Sequence, residues 1–121
     1  MTMPWTIIFV AGRVLLAALF ILAGVAKIIG RQPFLDHMAQ QRVPGLLLPL
    51  VIVLELGGGL LVAAGFETQW AALALAGFCV LCAVVFHRDW SDKAERTLCL
   101  KDLAIAGGLL VLAAAVGGRA A

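Results

Sequence analysis

Four long apolar runs separated by short polar segments dominate the chain: Trp5 to Ile29, Pro44 to Gly65, Gln69 to Phe86 and Leu98 to Val116. A helix needs ~20 apolar residues to cross the hydrocarbon core of a bilayer. No dyad alternation suggests strands, and an unpaired backbone cannot sit in lipid. The pattern therefore predicts an all-α fold, a four-transmembrane-helix bundle forming a single integral membrane domain over residues 1–121. The first run is expected to be a span and not a cleaved signal peptide, because Met1 to Pro4 holds no basic residue and Arg13 interrupts the run.

The polar segments differ. Gly65-Phe66-Glu67-Thr68 reads as a tight turn, with Gly65 ending one helix and Thr68 capping the next. Residues 32–43 can hold a short interfacial helix opened by Pro33, with Phe34, Leu35 and Met38 on one face and Asp36, His37, Gln40, Gln41 and Arg42 toward water. Residues 88–97 space Asp89/Lys93 and Asp92/Arg96 as i,i+4 pairs. Plain solvated linkers fit both loops equally well. A short repeat, Gly58-Gly59-Leu60-Leu61-Val62 against Gly107-Gly108-Leu109-Leu110-Val111, is compatible with two parallel helical hairpins and also with chance.

Composition agrees with a membrane solution. Of 121 residues, 64% are hydrophobic and 13% charged, against ~45–50% and ~25% in soluble domains. So much apolar surface argues against a soluble enzyme, a disordered chain or a nucleic-acid binder, and a net charge of +2 is too small to imply a polyanionic partner. Lys27, Arg31, Arg42, Arg88, Lys93, Arg96 and Lys101 flank the first and third loops, whereas only Arg13 and Arg119 lie toward the other side. The positive-inside rule then places both loops in the cytoplasm and the termini outside. Trp5, Trp70 and Trp90 occupy positions expected of interfacial aromatics.

Ionisable residues at depth carry the candidate chemistry, because hydrocarbon forces them toward a cavity, water or a partner. Arg13, Ala17, Phe20, Gly24 and Lys27 share one helical face. Glu55, near the middle of the second span, shares its face with Gly58 and Gly59. An Arg13–Glu55 pair is the expected intramembrane polar site, either as a register lock or as a functional site. Lys27, His87, Lys101 and Asp102 form a candidate site for an anionic or carbonyl-bearing head group, although lysines at helix ends can also snorkel to the interface. Asp102 also suits a helix N-terminus. Ala72, Ala76, Val80 and Ala83 form a small-residue stripe shared with His87. Cys79 and Cys82 form a CxxC placed mid-span, where packing is the commoner role and redox chemistry the alternative. Three cysteines give no disulfide framework, and no Cys/His spacing suits a metal.

Read in order, Arg13 to Phe20, Gly24-Val25-Ala26-Lys27, Leu54-Glu55 with Gly57-Gly58-Gly59, Gly65-Phe66, Phe86-His87, and Leu100-Lys101-Asp102 with Gly107-Gly108 resemble the DoxX family of small bacterial membrane proteins. The family pattern has Asn where this chain has Asp102. The resemblance implies a four-helix bundle in the bacterial cytoplasmic (inner) membrane and polar positions at Arg13, Lys27, Glu55, His87 and Lys101. It implies redox associations: quinone-linked subunits of thiosulfate-oxidising complexes, or partners such as superoxide dismutase, a sulfurtransferase or thioredoxin-like proteins. Three functions follow as expectations. The first is a quinone-interacting or membrane-anchoring subunit of an oxidoreductase system, with Lys27, His87, Lys101, Asp102 and Phe20 as the expected quinone site and a soluble redox protein or second membrane subunit as partner. The others are a non-enzymatic scaffold docking soluble redox partners, and a small homo-oligomeric carrier or channel.

Overall fold

The computed structural model describes residues 2–86 and 91–120. Its helices are α1 (Met3–Ile29), α2 (Arg31–Gln40), α3 (Leu48–Ala64), α4 (Thr68–Phe86) and α5 (Lys93–Ala120), with a 3-10 turn at Gly45–Leu47 before α3. Among the described residues there is no strand, and α1, α4, α5 and the turn-plus-α3 unit are long and apolar enough to cross a membrane. The fourth long helix begins at Lys93 rather than Leu98, which moves Asp102 from the expected helix start well into α5. Trp90 and the Asp89/Lys93 spacing lie outside the described residues.

α1 packs along α3 and α4 along α5, while α3 and α4 join the two pairs. α1 and α5 touch over a much smaller area. Alanines and a few large side chains fill the seam, including Ala17, Phe20, Val62, Ala72, Leu75, Ala76 and Leu109. The outward faces are apolar too: Leu15 is 73% exposed and Val111 71%. An apolar exterior around an apolar seam is the arrangement lipid accommodates and water does not. Of the small-residue stripe on α4, Ala72, Ala76 and Ala83 are buried, but Val80 is 42% exposed and stands outside it.

Gly59 sets the approach of α1 to α3. A Cβ there would lie 2.9 Å from Ile21 Cγ1 and 3.2 Å from the Ala17 carbonyl oxygen. With no lipid–water contrast to drive helices together, backbone proximity and dispersion hold such pairs. The antiparallel contact also sets register: Gly24 meets Leu56, Gly59 meets Ala17 and Ile21, and Arg13 meets Gly65. The repeat in α5 is not used the same way. Gly58 and Gly59 are buried, whereas Gly107 is exposed and has nothing within 4 Å of a built Cβ.

Gly65 ends α3 as expected, with φ 75°. The Phe66 N–H donates to the Leu61 carbonyl at 3.0 Å and the Gly65 N–H to that of Val62 at 3.2 Å, closing a Schellman-type end. Thr68 is already the first residue of α4, and the Glu67 carbonyl accepts from the Ala71 N–H. Asp92 caps α5 by accepting from the Ala94 N–H at 2.9 Å. Its side chain therefore serves the helix start, where orphan donors need partners.

Candidate functional site

The inward line on α1 is present: Ala17, Phe20 and Gly24 are buried, with Arg13 and Lys27 half-buried above and below. Glu55 on α3 is 3% exposed. Its partner is Lys27, not Arg13: Lys27 Nζ lies 2.7 Å from Glu55 Oε1. Register explains the correction. Arg13 stands opposite the end of α3, and the eight residues from Ala63 back to Glu55 span ~12 Å at the helical rise.

Arg13 instead serves that helix end. Its Nη2 donates to the Ala63 carbonyl at 3.5 Å, and the guanidinium lies over Gly65, 2.9 Å from where a Cβ would be. With Leu61 and Val62 already satisfied, the arginine supplies a donor to the next orphan carbonyl and a positive charge at the negative end of the helix.

The chain turns sharply at Gly30, whose N–H still bonds Ala26, and α2 starts at the next residue. This folds α2 back against the bundle end where α1 stops. Lys27 Nζ sits 4.8 Å from the Phe34 ring centroid, so the ammonium contacts both a carboxylate and an aromatic face. Met38 is buried as expected. His37 was expected in water, but it is half-buried with its ring 5.2 Å from that of Phe86. α2 thus covers the bundle end with two faces, because α1 and α4 end there and α3 begins there.

Lys27 and Glu55 line a cavity of about 490 Å³. Its walls are mainly apolar. Phe20 and Leu19 come from α1, Phe34 and Met38 from α2, Val51 from α3, Phe78 and Phe86 from α4, and Ile105 from α5. His37 and Asp102 add polar groups, and Cys79 and Cys82 line the same space. The structure therefore unites Phe20, Lys27, Glu55 and Asp102. It leaves Arg13 at the opposite end of α3 and Lys101 exposed outside the lining. His87 lies outside the described residues. Sequence reasoning missed Phe34, His37 and Phe86 as wall residues. Their signal was the Gly30-Arg31 junction, which leaves no length for α2 to extend away from the bundle.

The volume lies within the ~300–1,000 Å³ of small-molecule sites, and few polar groups in an apolar wall is their usual chemistry. Such a chamber can accept a small, mostly apolar molecule and offer it an ammonium donor and a carboxylate acceptor. Among the described residues no group of three or more His, Cys, Asp or Glu side chains could hold a metal.

Four apolar helices around an inward ion pair and an apolar chamber define a small multi-spanning membrane protein. The DoxX family model matches residues 8–88, and the chain belongs to that family. It is 45% identical over 101 residues to inner membrane protein YqjF of Escherichia coli (strain K12), an alignment covering 84% of this chain and 78% of that protein. No solved structure matches the chain.

Proposed function

We propose that this chain is a quinone-interacting subunit of an oxidoreductase system in a bacterial inner membrane. The location follows the name of its E. coli relative. The observation that carries the functional reading is the Lys27–Glu55 pair set into an apolar, phenylalanine-lined chamber. A quinone ring is flat and apolar with a carbonyl at each end, and its isoprenoid tail is soluble in lipid. Phe20, Phe34, Phe78 and Phe86 supply ring-sized apolar surface. Lys27 donates to one carbonyl oxygen, while Glu55 holds the ammonium at that depth and takes or returns its proton. Loops one and three, rich in Lys and Arg, face the cytoplasm and dock a soluble redox protein or a second subunit.

Titrating the detergent-solubilised protein with a short-chain ubiquinone tests this reading. Saturable binding that weakens at least tenfold in Lys27→Met and Glu55→Gln, each checked to be folded, is the expected result. Binding that is unsaturable, or unaffected by both variants, contradicts it. The scaffold reading predicts the opposite dependence: Arg96→Glu and Lys93→Glu abolish partner capture, and Glu55→Gln leaves it intact.

A further inference from the structure

In the CxxC on α4, Cys79 belongs to the buried seam and Cys82 is half-buried one turn further on. Cys79 and Cys82 are both free thiols, and both line the chamber that holds Lys27 and Glu55. Cys99, the third free cysteine, is buried in α5 away from that lining. A core-filling role would not require two thiols one turn apart to face the same ligand-sized space.

Their spacing also suits a bridge. Residues i and i+3 of a helix have Cα atoms ~5 Å apart from the helical rise and radius, inside the ~4.4–6.8 Å range of disulfides. Their Cβ atoms start ~5–6 Å apart and must close to ~4 Å, which asks the turn to tighten toward 3-10 geometry, where i and i+3 eclipse. A bridge closed under such tension belongs to the labile, oxidising kind.

We propose that Cys79 and Cys82 are a redox-active dithiol that gives two electrons to a quinone bound in the chamber. This rests on the quinone-site reading above. Cys82, the less buried of the two, reacts first. Its sulfur bonds a ring carbon as its hydrogen passes to a carbonyl oxygen, so no isolated thiolate forms among apolar side chains. The Cys79 sulfur then attacks Cys82 Sγ. An S–S bond forms, the S–C bond breaks with its electron pair left on the ring, and the second thiol hydrogen ends on the other oxygen. The dithiol is oxidised by two electrons and the quinone leaves as the hydroquinone, with both thiol hydrogens accounted for. Lys27 donates a hydrogen bond to the oxygen that gathers charge.

The test uses the reduced full chain in detergent, without oxygen, mixed with a short-chain ubiquinone. Thiols are then counted by maleimide mass-tagging under denaturing conditions, and hydroquinone by absorbance. Three tagged cysteines before and only Cys99 after are expected, with a Cys79–Cys82 peptide lighter by two hydrogens and one hydroquinone per chain. Cys82→Ala abolishes the change, Cys79→Ala stops it with the quinone held on Cys82, and Cys99→Ala leaves it intact. Quinone affinity is measured separately on the same variants. In the parent chain, quinone that binds while all three thiols survive, or that remains attached to a single cysteine, overturns the dithiol proposal and leaves the quinone site standing. Quinone that does not bind overturns both.

Discussion

Lys27 at the end of α1 and Glu55 in the middle of α3 form an ion pair at 2.7 Å, although they stand 28 positions apart in the chain and at different depths in their own helices. Lys27 reaches back along its own face, and the Phe34 ring closes over the ammonium from α2. The pair therefore joins α1 to α3, which also meet closely at Gly59, beside the cap that α2 places on the chamber.

Breaking the pair from one side leaves a buried charge without its partner. Lys27→Met or Glu55→Leu alone is expected to lower unfolding free energy by roughly 3–5 kcal/mol, and the double Met/Leu variant to recover most of that loss. Reversible unfolding in mixed micelles checks it. A double variant as unstable as the singles contradicts the assignment.

Arg13 is expected to behave as a helix-end donor without influence on the chamber. Arg13→Leu should cost about 1–3 kcal/mol through the Ala63 carbonyl it leaves unpaired. Quinone affinity should stay within twofold of the parent. A tenfold loss of affinity in a folded Arg13→Leu protein would return this residue to the ligand site.

Gly65 combines a left-handed φ of 75° with a guanidinium where a Cβ would stand. Gly65→Ala is expected to destabilise by about 1–2 kcal/mol from backbone handedness alone. Combining it with Arg13→Leu should cost less than the sum of the two, since the clash then disappears. Additive losses in a double-mutant cycle would show that the two residues do not meet.

At Gly59 the neighbours include the Ala17 backbone, which cannot swing aside. Gly59→Val is expected to part α1 from α3, at about 1–3 kcal/mol for overpacking, and to separate Lys27 from Glu55 with it. Crosslinking yield between cysteines introduced at Ile21 and Leu60 measures the approach. An unchanged yield contradicts the close contact.

Much of this architecture was legible in the chain. The four apolar helices, a short helix in the first loop and the Gly65 stop depend on local chemistry and were legible, although α5 starts at Lys93, ahead of the expected Leu98. The inward line of Arg13, Phe20 and Lys27 followed from helical periodicity. Which cation meets Glu55 did not follow, because it depends on how far one helix slides along another. Gly59 and Gly24 set that slide by leaving no room for a Cβ, which would lie 2.9 Å from Ile21 Cγ1 and 2.6 Å from Leu56 Cγ respectively, and no spacing rule expresses that. His37 was misplaced for a related reason: an amphipathic wheel for α2 assumes one wet face, whereas Phe86 comes down to meet it. Lys101 and Asp102 are neighbours in sequence, and only the start of α5 at Lys93 decides that Asp102 looks inward while Lys101 looks out.

The central claim is a quinone chamber between Phe20, Lys27, Glu55 and the α4 face that carries Cys79, Cys82 and Phe86. Photolabelling with a diazirine-bearing quinone, mapped by peptide mass spectrometry and competed by unlabelled quinone, tests it most directly. Competable label confined to peptides containing residues 19–27, 33–38 and 78–86 is the predicted result. Label spread over outward residues such as Leu15 and Val111, and indifferent to the competitor, would contradict the account.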